Sequence, residues 1–417
     1  MAANTGKYHN RVQRLVVLDG YRAVAALLVV TTHVSFSTGF VLNLPLGAVF
    51  SRFDIGVAIF FLLSGFLLYR PWARAGLTGS PSPAIGTYAK RRFFRIMPAY
   101  WAVVIAVLLI LPTAVLTAGT ALTNLTLTQF YIFGMQIEGL TQMWSVGVEA
   151  SFYIALPIIG WIALRKRAGA PGSAKRQLVV LVLMWLIGAS FTAFRTVGPL
   201  SGELGTGFWV IGFLDWFAVG MVTGLAYELL ARPNPPLWAQ RMQSVANETA
   251  TSLVLAGALF IAACTPLAGP YLLIGDGFGD FIRHMLYPII ALLFLLPGFL
   301  GDNRDGVLHR FLTSPTMLFL GKISYGIFLW HLLVRDLLAY YFNVPSFGGG
   351  FWWLLPLTIA ITIGVAWASW VGIEEPLIRY SRRSTSESAT ISDSPAPDVR
   401  GTGAQETTTT QNTTANK

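Results

Sequence analysis

The sequence predicts an all-α fold: a polytopic membrane helix bundle of about ten transmembrane helices with both termini cytoplasmic. Three observations predict it. Of 417 residues, 54% are hydrophobic and only 12% charged, with a mean hydropathy of +0.60, which is too apolar for a soluble domain. The apolar residues come in runs that approach or exceed the roughly 20 residues a spanning helix needs. The basic residues concentrate in alternate connections, as the positive-inside rule requires.

The first run, Leu15–Val34, carries Arg22 and His33. At 100° per residue their separation returns both to one face, about 16 Å apart. Ionisable groups inside spans face a bundle interior or a water-filled path. The pair therefore marks a polar track into the bilayer or, more plainly, a snorkelling arginine and a satisfied interfacial histidine. The second run, Asp54–Leu68, is short enough to be tilted or partly re-entrant. Asp54 suits its N-terminus, where a carboxylate caps favourably. Ser64 and Gly65 permit close helix approach, with Ser64 also a candidate polar group.

The third run, Met97–Ala118, follows the basic stretch KRRFFRIMPAYW. Arg92 and Arg95 are three apart and share a helix face, and Pro98 starts or kinks the span. Two guanidiniums at the inner rim clamp phosphate oxygens or anchor the helix in lipid headgroups. The fourth run, Met143–Leu164, opens with Trp144 and holds Glu149 about 9 Å along it. A carboxylate there needs a proton or a partner. The first and fourth spans run in opposite directions, so His33 and Glu149 sit at similar depth in the outer half. That predicts a His33–Glu149 pair, an imidazole base oriented by a carboxylate, or else a structural interhelical hydrogen bond.

Leu178–Phe194 is the fifth run, and Gly207–Leu229, with Asp215 in its outer half, is the sixth. Thr249–Leu267 ends in a Gly/Pro-rich stretch, and Met285–Leu300 is the eighth. The ninth, Met317–Leu338, contains Lys322 as an interface anchor and Tyr325 and His331 as cavity candidates, His331 being equally a core histidine satisfied by a neighbour. Phe351–Gly372 is the tenth. Glu374, Glu375 and Pro376 follow it, and Pro376 is expected to stop the helix.

Composition also excludes. The net charge of +10 is accounted for by the alternating loops and does not point to nucleic acid. The single cysteine, Cys264, excludes an intrachain disulfide and a cysteine-based metal site. The five histidines fall in no metal-ligand spacing, so no metal is expected. Residues 1–14 read as a cytoplasmic arm without a cleavable signal. Residues 15–380 form the membrane domain. Residues 381–417 are Ser/Thr/Asn/Pro-rich and read as a disordered cytoplasmic tail.

Together these segments resemble the acyltransferase 3 family of integral-membrane O-acyltransferases. LDGYRAVAALLVVTTHV is similar to its opening motif with the Arg-x10-His pair, here Arg22 and His33. FFLLSGFLL, RRFFRIMPAYW, WSVGVEASFY, LGKISYGIFLWH and IEEPLIR resemble further motifs in the same order. Ala150 and Ser151 stand where the family carries Glu and Gln, which leaves Glu149 as the carboxylate of that motif. Ala58 stands where Asp often follows in the second helix, with Asp54 one turn earlier as its substitute.

The resemblance implies transfer of an acyl group, chiefly acetyl, from cytoplasmic acyl-CoA to a hydroxyl of an envelope glycan or lipid in the cell membrane. Arg92 and Arg95 are expected to hold the CoA phosphates, with Arg22 further along the same side. His33 is expected to act as base, Glu149 as its orienter, and Tyr153 or Tyr325 as an oxyanion donor. The Ala/Gly-rich motifs resemble an actinobacterial branch, which makes an envelope glycolipid such as a trehalose mycolate the first acceptor to consider. The short tail implies that transfer occurs in the membrane domain itself. A transporter or flippase of a polar envelope precursor is the alternative, since intramembrane charges also mark transport paths. A non-catalytic scaffold comes third.

Overall fold

The computed structural model describes residues 2–114, 117–132, 134–164, 173–200, 204–270, 277–303 and 305–382, with side chains from Val16 onward. Apart from 381 and 382, the expected tail lies outside the described residues, and the expected arm continues into the first helix. Fifteen α-helices follow one another, and no strand occurs among the described residues. They are α1 (Ala2–Ser37), α2 (Leu46–Ser51), α3 (Gly56–Thr78), α4 (Ile85–Ile110), α5 (Ala118–Leu125), α6 (Trp144–Leu164) and α7 (Ser173–Thr196). Then come α8 (Leu214–Leu230), α9 (Leu237–Asn247), α10 (Thr249–Ala263), α11 (Phe278–Leu300), α12 (Val307–Leu312), α13 (Pro315–Lys322), α14 (Ser324–Tyr341) and α15 (Phe351–Ser369). Eight stretches are long and apolar enough to cross a membrane, and up to ten if two bent pairs, α9–α10 at 86° and α13–α14 at 70°, each make one span.

Several boundaries differ from the sequence reading, each for a physical reason. The second span runs over Leu46–Thr78, because Arg70 and Arg74, one turn apart, both bind the buried Glu228 of α8 and carry the helix through Pro71. The third starts at Ile85, twelve residues earlier than expected, and ends at Ile110. Pro98 thus lies inside it, and Pro112 ends it by disfavouring helical backbone at the preceding residue. Pro376 does not stop the last helix. A π turn at Trp370–Glu374 widens the coil just ahead of the proline ring, and helix continues to Arg382. Such turns recur at functional sites.

The core is built on α3 and α8, which pack along one another. Gly65 and Gly220 make this possible. A Cβ at Gly65 would overlap the Phe217 carbonyl oxygen, and one at Gly220 the Leu62 carbonyl oxygen. Phe217 stacks on Phe152 of α6, centroids 3.9 Å apart, and on Phe61 at 4.6 Å. This aromatic sandwich sets α6 against α3 and turns Glu149 toward Ser64. Gln142 Nε2, buried at the entry to α6, donates to the Leu329 carbonyl of α14 at 3.0 Å. Tyr88 of α4 donates to the Tyr153 carbonyl at 3.1 Å. Helices α1, α3, α4, α6 and α14 thereby surround one polar cavity.

Candidate active site

Three voids adjoin α4. A chamber of about 80 Å³ is lined by Arg22, Ser64, Arg95, Glu149 and Tyr325, among others. A basin of about 510 Å³ shares Arg22 and Arg95 with it. A groove of about 490 Å³ between α4 and α6 shares Arg92 with the basin and Ile96 with the chamber. Helix α4 begins early enough to put Arg91, Arg92 and Arg95 within little more than one helical turn at this junction.

The basin is strongly cationic. Arg22, Arg91, Arg92, Arg95, Lys322 and Arg382 line it against one carboxylate, Asp19. Asp19 pairs with Arg22 at 2.9 Å, one turn away on α1. The Nη1 of Arg95 stands 3.5 Å from Glu374, whose side chain is 1% exposed. Neither carboxylate oxygen of Glu374 has a hydrogen-bond partner, and neither has the buried Nε of Arg92. Arg95 also lies over Tyr325 and Trp370, 5.7 and 5.5 Å from the ring centres. Planar guanidiniums stacked on aromatic rings keep their fork free for a bidentate anion. Glu374 is the buried counter-ion of Arg95. Its only sequence signal was its place in the last motif.

In the chamber Glu149 accepts hydrogen bonds from Ser64 and from Tyr153, one turn further along α6. Tyr325 donates to the Ile96 carbonyl at 3.0 Å. The expected His33–Glu149 pair is not formed, because Ser64 and Tyr153 occupy the carboxylate and His33 lies elsewhere. Nδ1 of His33 is 2.8 Å from the Val29 carbonyl and 3.3 Å from Nε2 of His331. Nδ1 of His331 is 2.7 Å from the Phe328 carbonyl. Carbonyl oxygens only accept, so each neutral ring carries its proton on Nδ1. His331 then offers its Nε2 lone pair to His33, and Nε2 of His33 is left as a free basic atom. His331 is fully buried, whereas His33 is only half-buried. Of the two, His33 is the ring that can meet a substrate.

The chamber and the histidines are separated by aromatic side chains. Phe60 and Phe328 line the chamber and meet edge to face at 6.0 Å. On the other side, the Phe328 ring lies 5.9 Å from that of His331. Tyr325, Phe328 and His331 follow at three-residue steps on α14, so one helix face runs from the chamber to the histidine pair.

The remaining candidates lie outside the chamber lining. Asp215 is fully buried and pairs with His284 of α11 at 3.0 Å, away from the chamber lining. Sequence reading missed His284, which has no motif of its own. Trp144 packs on Phe208 and Phe213, both 5.3 Å between ring centres, and does not line the chamber. Asp54 accepts the Tyr287 hydroxyl. Tyr153 lines the groove, not the chamber. Arg52 is 2% exposed, and its guanidinium donates to the carbonyls of Ala263, Ala268, Gly269 and Pro270. No cluster of three or more metal-ligating side chains occurs among the described residues.

Comparison with known proteins identifies the family. Nodulation protein 10 of Rhizobium leguminosarum bv. viciae is 26% identical over 357 residues, covering 78% of this chain and 82% of that protein. The putative peptidoglycan O-acetyltransferase YrhL of Bacillus subtilis (strain 168) is 27% identical over 407 residues, 88% of this chain and 56% of that one. Peptidoglycan O-acetyltransferase OatA of Listeria monocytogenes is 24% identical over 390 residues, 86% of this chain and 55% of that one. The chain thus spans little more than half the length of these two peptidoglycan enzymes. No solved structure matches. The family model for an acyltransferase domain, Acyl_transf_3, matches residues 15–371, and the chain belongs to the acyltransferase 3 family.

Proposed function

We propose that this protein transfers an acetyl group from cytoplasmic acetyl-CoA to a hydroxyl of an envelope glycan or glycolipid at the plasma membrane, a trehalose mycolate being the glycolipid we would test first. The observation that carries this reading is the junction of the cationic basin with the chamber at Arg22 and Arg95. A nucleotide-borne thioester suits it: phosphates for the guanidiniums, a neutral arm for the small chamber. The positive-inside pattern puts this end of the bundle in the cytoplasm.

Arg92, Arg95 and Lys322 hold the phosphates. Arg22 turns toward the thioester carbonyl and stabilises the developing oxyanion. Phe328 swings aside, which lets the thioester reach the acceptor beside His33. Nε2 of His33 removes the hydroxyl proton as the oxygen attacks the carbonyl carbon. The carbon–sulfur bond breaks, the acetyl ester forms, and the CoA thiolate takes up the proton from His33. Positive charge arising on His33 is shared through Nδ1–H with Val29 and His331. Glu149, accepting hydrogen bonds from Ser64 and Tyr153, orients the chamber wall.

The names of the two peptidoglycan relatives support an envelope glycan as acceptor. The test combines two measurements. Acetyl-CoA should stabilise the purified protein thermally. Envelope lipids and glycans of cells with and without it should differ by one acetyl increment, about 42 daltons, on a single species. Stabilisation without any lost acetyl ester would turn the reading toward CoA binding without transfer. Neither effect would return it to a transporter.

A further inference from the structure

Among the described residues, Ile96 alone lines both the chamber and the groove between α4 and α6. The two spaces differ about six-fold in size, 80 Å³ against 490 Å³. They also differ in chemistry. The chamber holds two arginines, Glu149 and Ser64, whereas beyond Ile96 the groove is walled by Phe93, Met97, Ala150, Ile154 and Pro157. Ile154 is 76% exposed and Phe93 45% exposed on the outer surface of the bundle, where a membrane protein meets lipid tails. Ile96 itself is 5% exposed, and its carbonyl is held by Tyr325. It is a fixed partition. On its far side the Glu149–Tyr153 hydrogen bond closes the same wall.

We propose that Ile96 sets the acyl chain length of the donor. This rests on the reading that the thioester enters the chamber between Arg22 and Arg95. While the thioester rests between Arg22 and Arg95, before Phe328 swings aside, a two- or three-carbon acyl group ends against the Ile96 side chain. A longer one has no room there, although an apolar groove large enough for it lies directly behind. Removing the branched side chain joins the two spaces, and an alkyl chain then passes from the chamber into the groove. Apolar pockets discriminate a single methylene by roughly 10-fold or more, so a wall of this kind is sufficient for strong selection.

The test uses the full chain in nanodiscs with a trehalose mycolate as acceptor and acetyl-, butyryl- and octanoyl-CoA as donors, reading free CoA released and acyl ester formed. Wild type should favour acetyl over octanoyl by at least about 100-fold in kcat/KM, as a stack of methylene penalties implies. Ile96→Ala should cut that preference to below about 10-fold, chiefly by gaining octanoyl turnover. Adding Ala150→Phe, which refills the groove from α6, should restore acetyl selectivity. Ile96→Val keeps the branched shape and should admit butyryl even where the alanine variant fails to fold. Wild type that turns over octanoyl-CoA as well as acetyl-CoA, or folded variants with unchanged chain-length preference, overturn the role of Ile96 alone. No CoA released from any of the three donors by wild type overturns the donor reading and this inference with it.

Discussion

His331 Nε2 lies 3.3 Å from His33 Nδ1, and both Nδ1 atoms are also bound to carbonyls of their own helices. This double anchoring fixes which nitrogen of His33 is basic and which way it points. On the proposed mechanism, a second imidazole here takes the orienting role expected of Glu149, without placing a second full charge beside the base. His33→Ala should lower kcat by about 10²–10⁴-fold, the usual worth of a general base. His331→Ala should lower kcat about 10-fold or more while leaving KM for the donor unchanged, because the ring orients the base and touches no phosphate. Steady-state kinetics with acetyl-CoA on correctly inserted protein decide this. A KM effect from His331→Ala would place it in donor binding instead.

The guanidiniums should behave in the opposite way. Arg92→Ala or Arg95→Ala removes charge-assisted hydrogen bonds worth about 1.5–3 kcal/mol each. The donor KM should rise about 10- to 100-fold, with a smaller change in kcat. Lysine at either position should rescue only partly, since a point charge lacks the planar fork. Wild-type donor binding should weaken as salt rises, because this basin opens to solvent. Isothermal titration with CoA in two salt concentrations is the measurement.

Phe328 separates the chamber from the histidines. Phe328→Ala should open that barrier. Hydrolysis of acetyl-CoA without acceptor should rise relative to wild type, because water then reaches the thioester as easily as a hydroxyl does. Free CoA release in the absence of acceptor reports it directly. Unchanged leak would mean that the two compartments communicate by another route.

Asp215 and His284 should matter for folding and not for chemistry. Removing one partner leaves the other buried and unpaired, which costs about 3 kcal/mol. His284→Ala and Asp215→Ala should each lower the thermal midpoint in detergent, and the double variant should cost clearly less than their sum. Per folded molecule, the donor KM should not move. A tenfold KM change in folded Asp215→Ala would return the residue to the site.

How much of this was legible beforehand follows from what each signal measures. Hydropathy and the distribution of arginines report the local preference of each segment for lipid or water, so they delivered the fold class and about ten spans. They set ends poorly wherever tertiary contacts overrode the local pattern, as at Arg70 and Arg74 on Glu228 or the π turn before Pro376. Spacing along a helix put Arg92 and Arg95 on one face, and both do line one basin. Pairing between helices was another matter. Matching His33 and Glu149 in depth could not pair them, because depth says nothing about azimuth.

By itself the sequence determined that the chain is a helical membrane protein of this family, and which ionisable residues stand inside its spans. Only the tertiary structure decided their partners: His331 for His33, Ser64 and Tyr153 for Glu149, Glu374 for Arg95, His284 for Asp215. The physical reason is range. A span is specified by neighbours a few residues away, whereas a buried polar group is satisfied by whatever helix packing brings within about 3 Å of it.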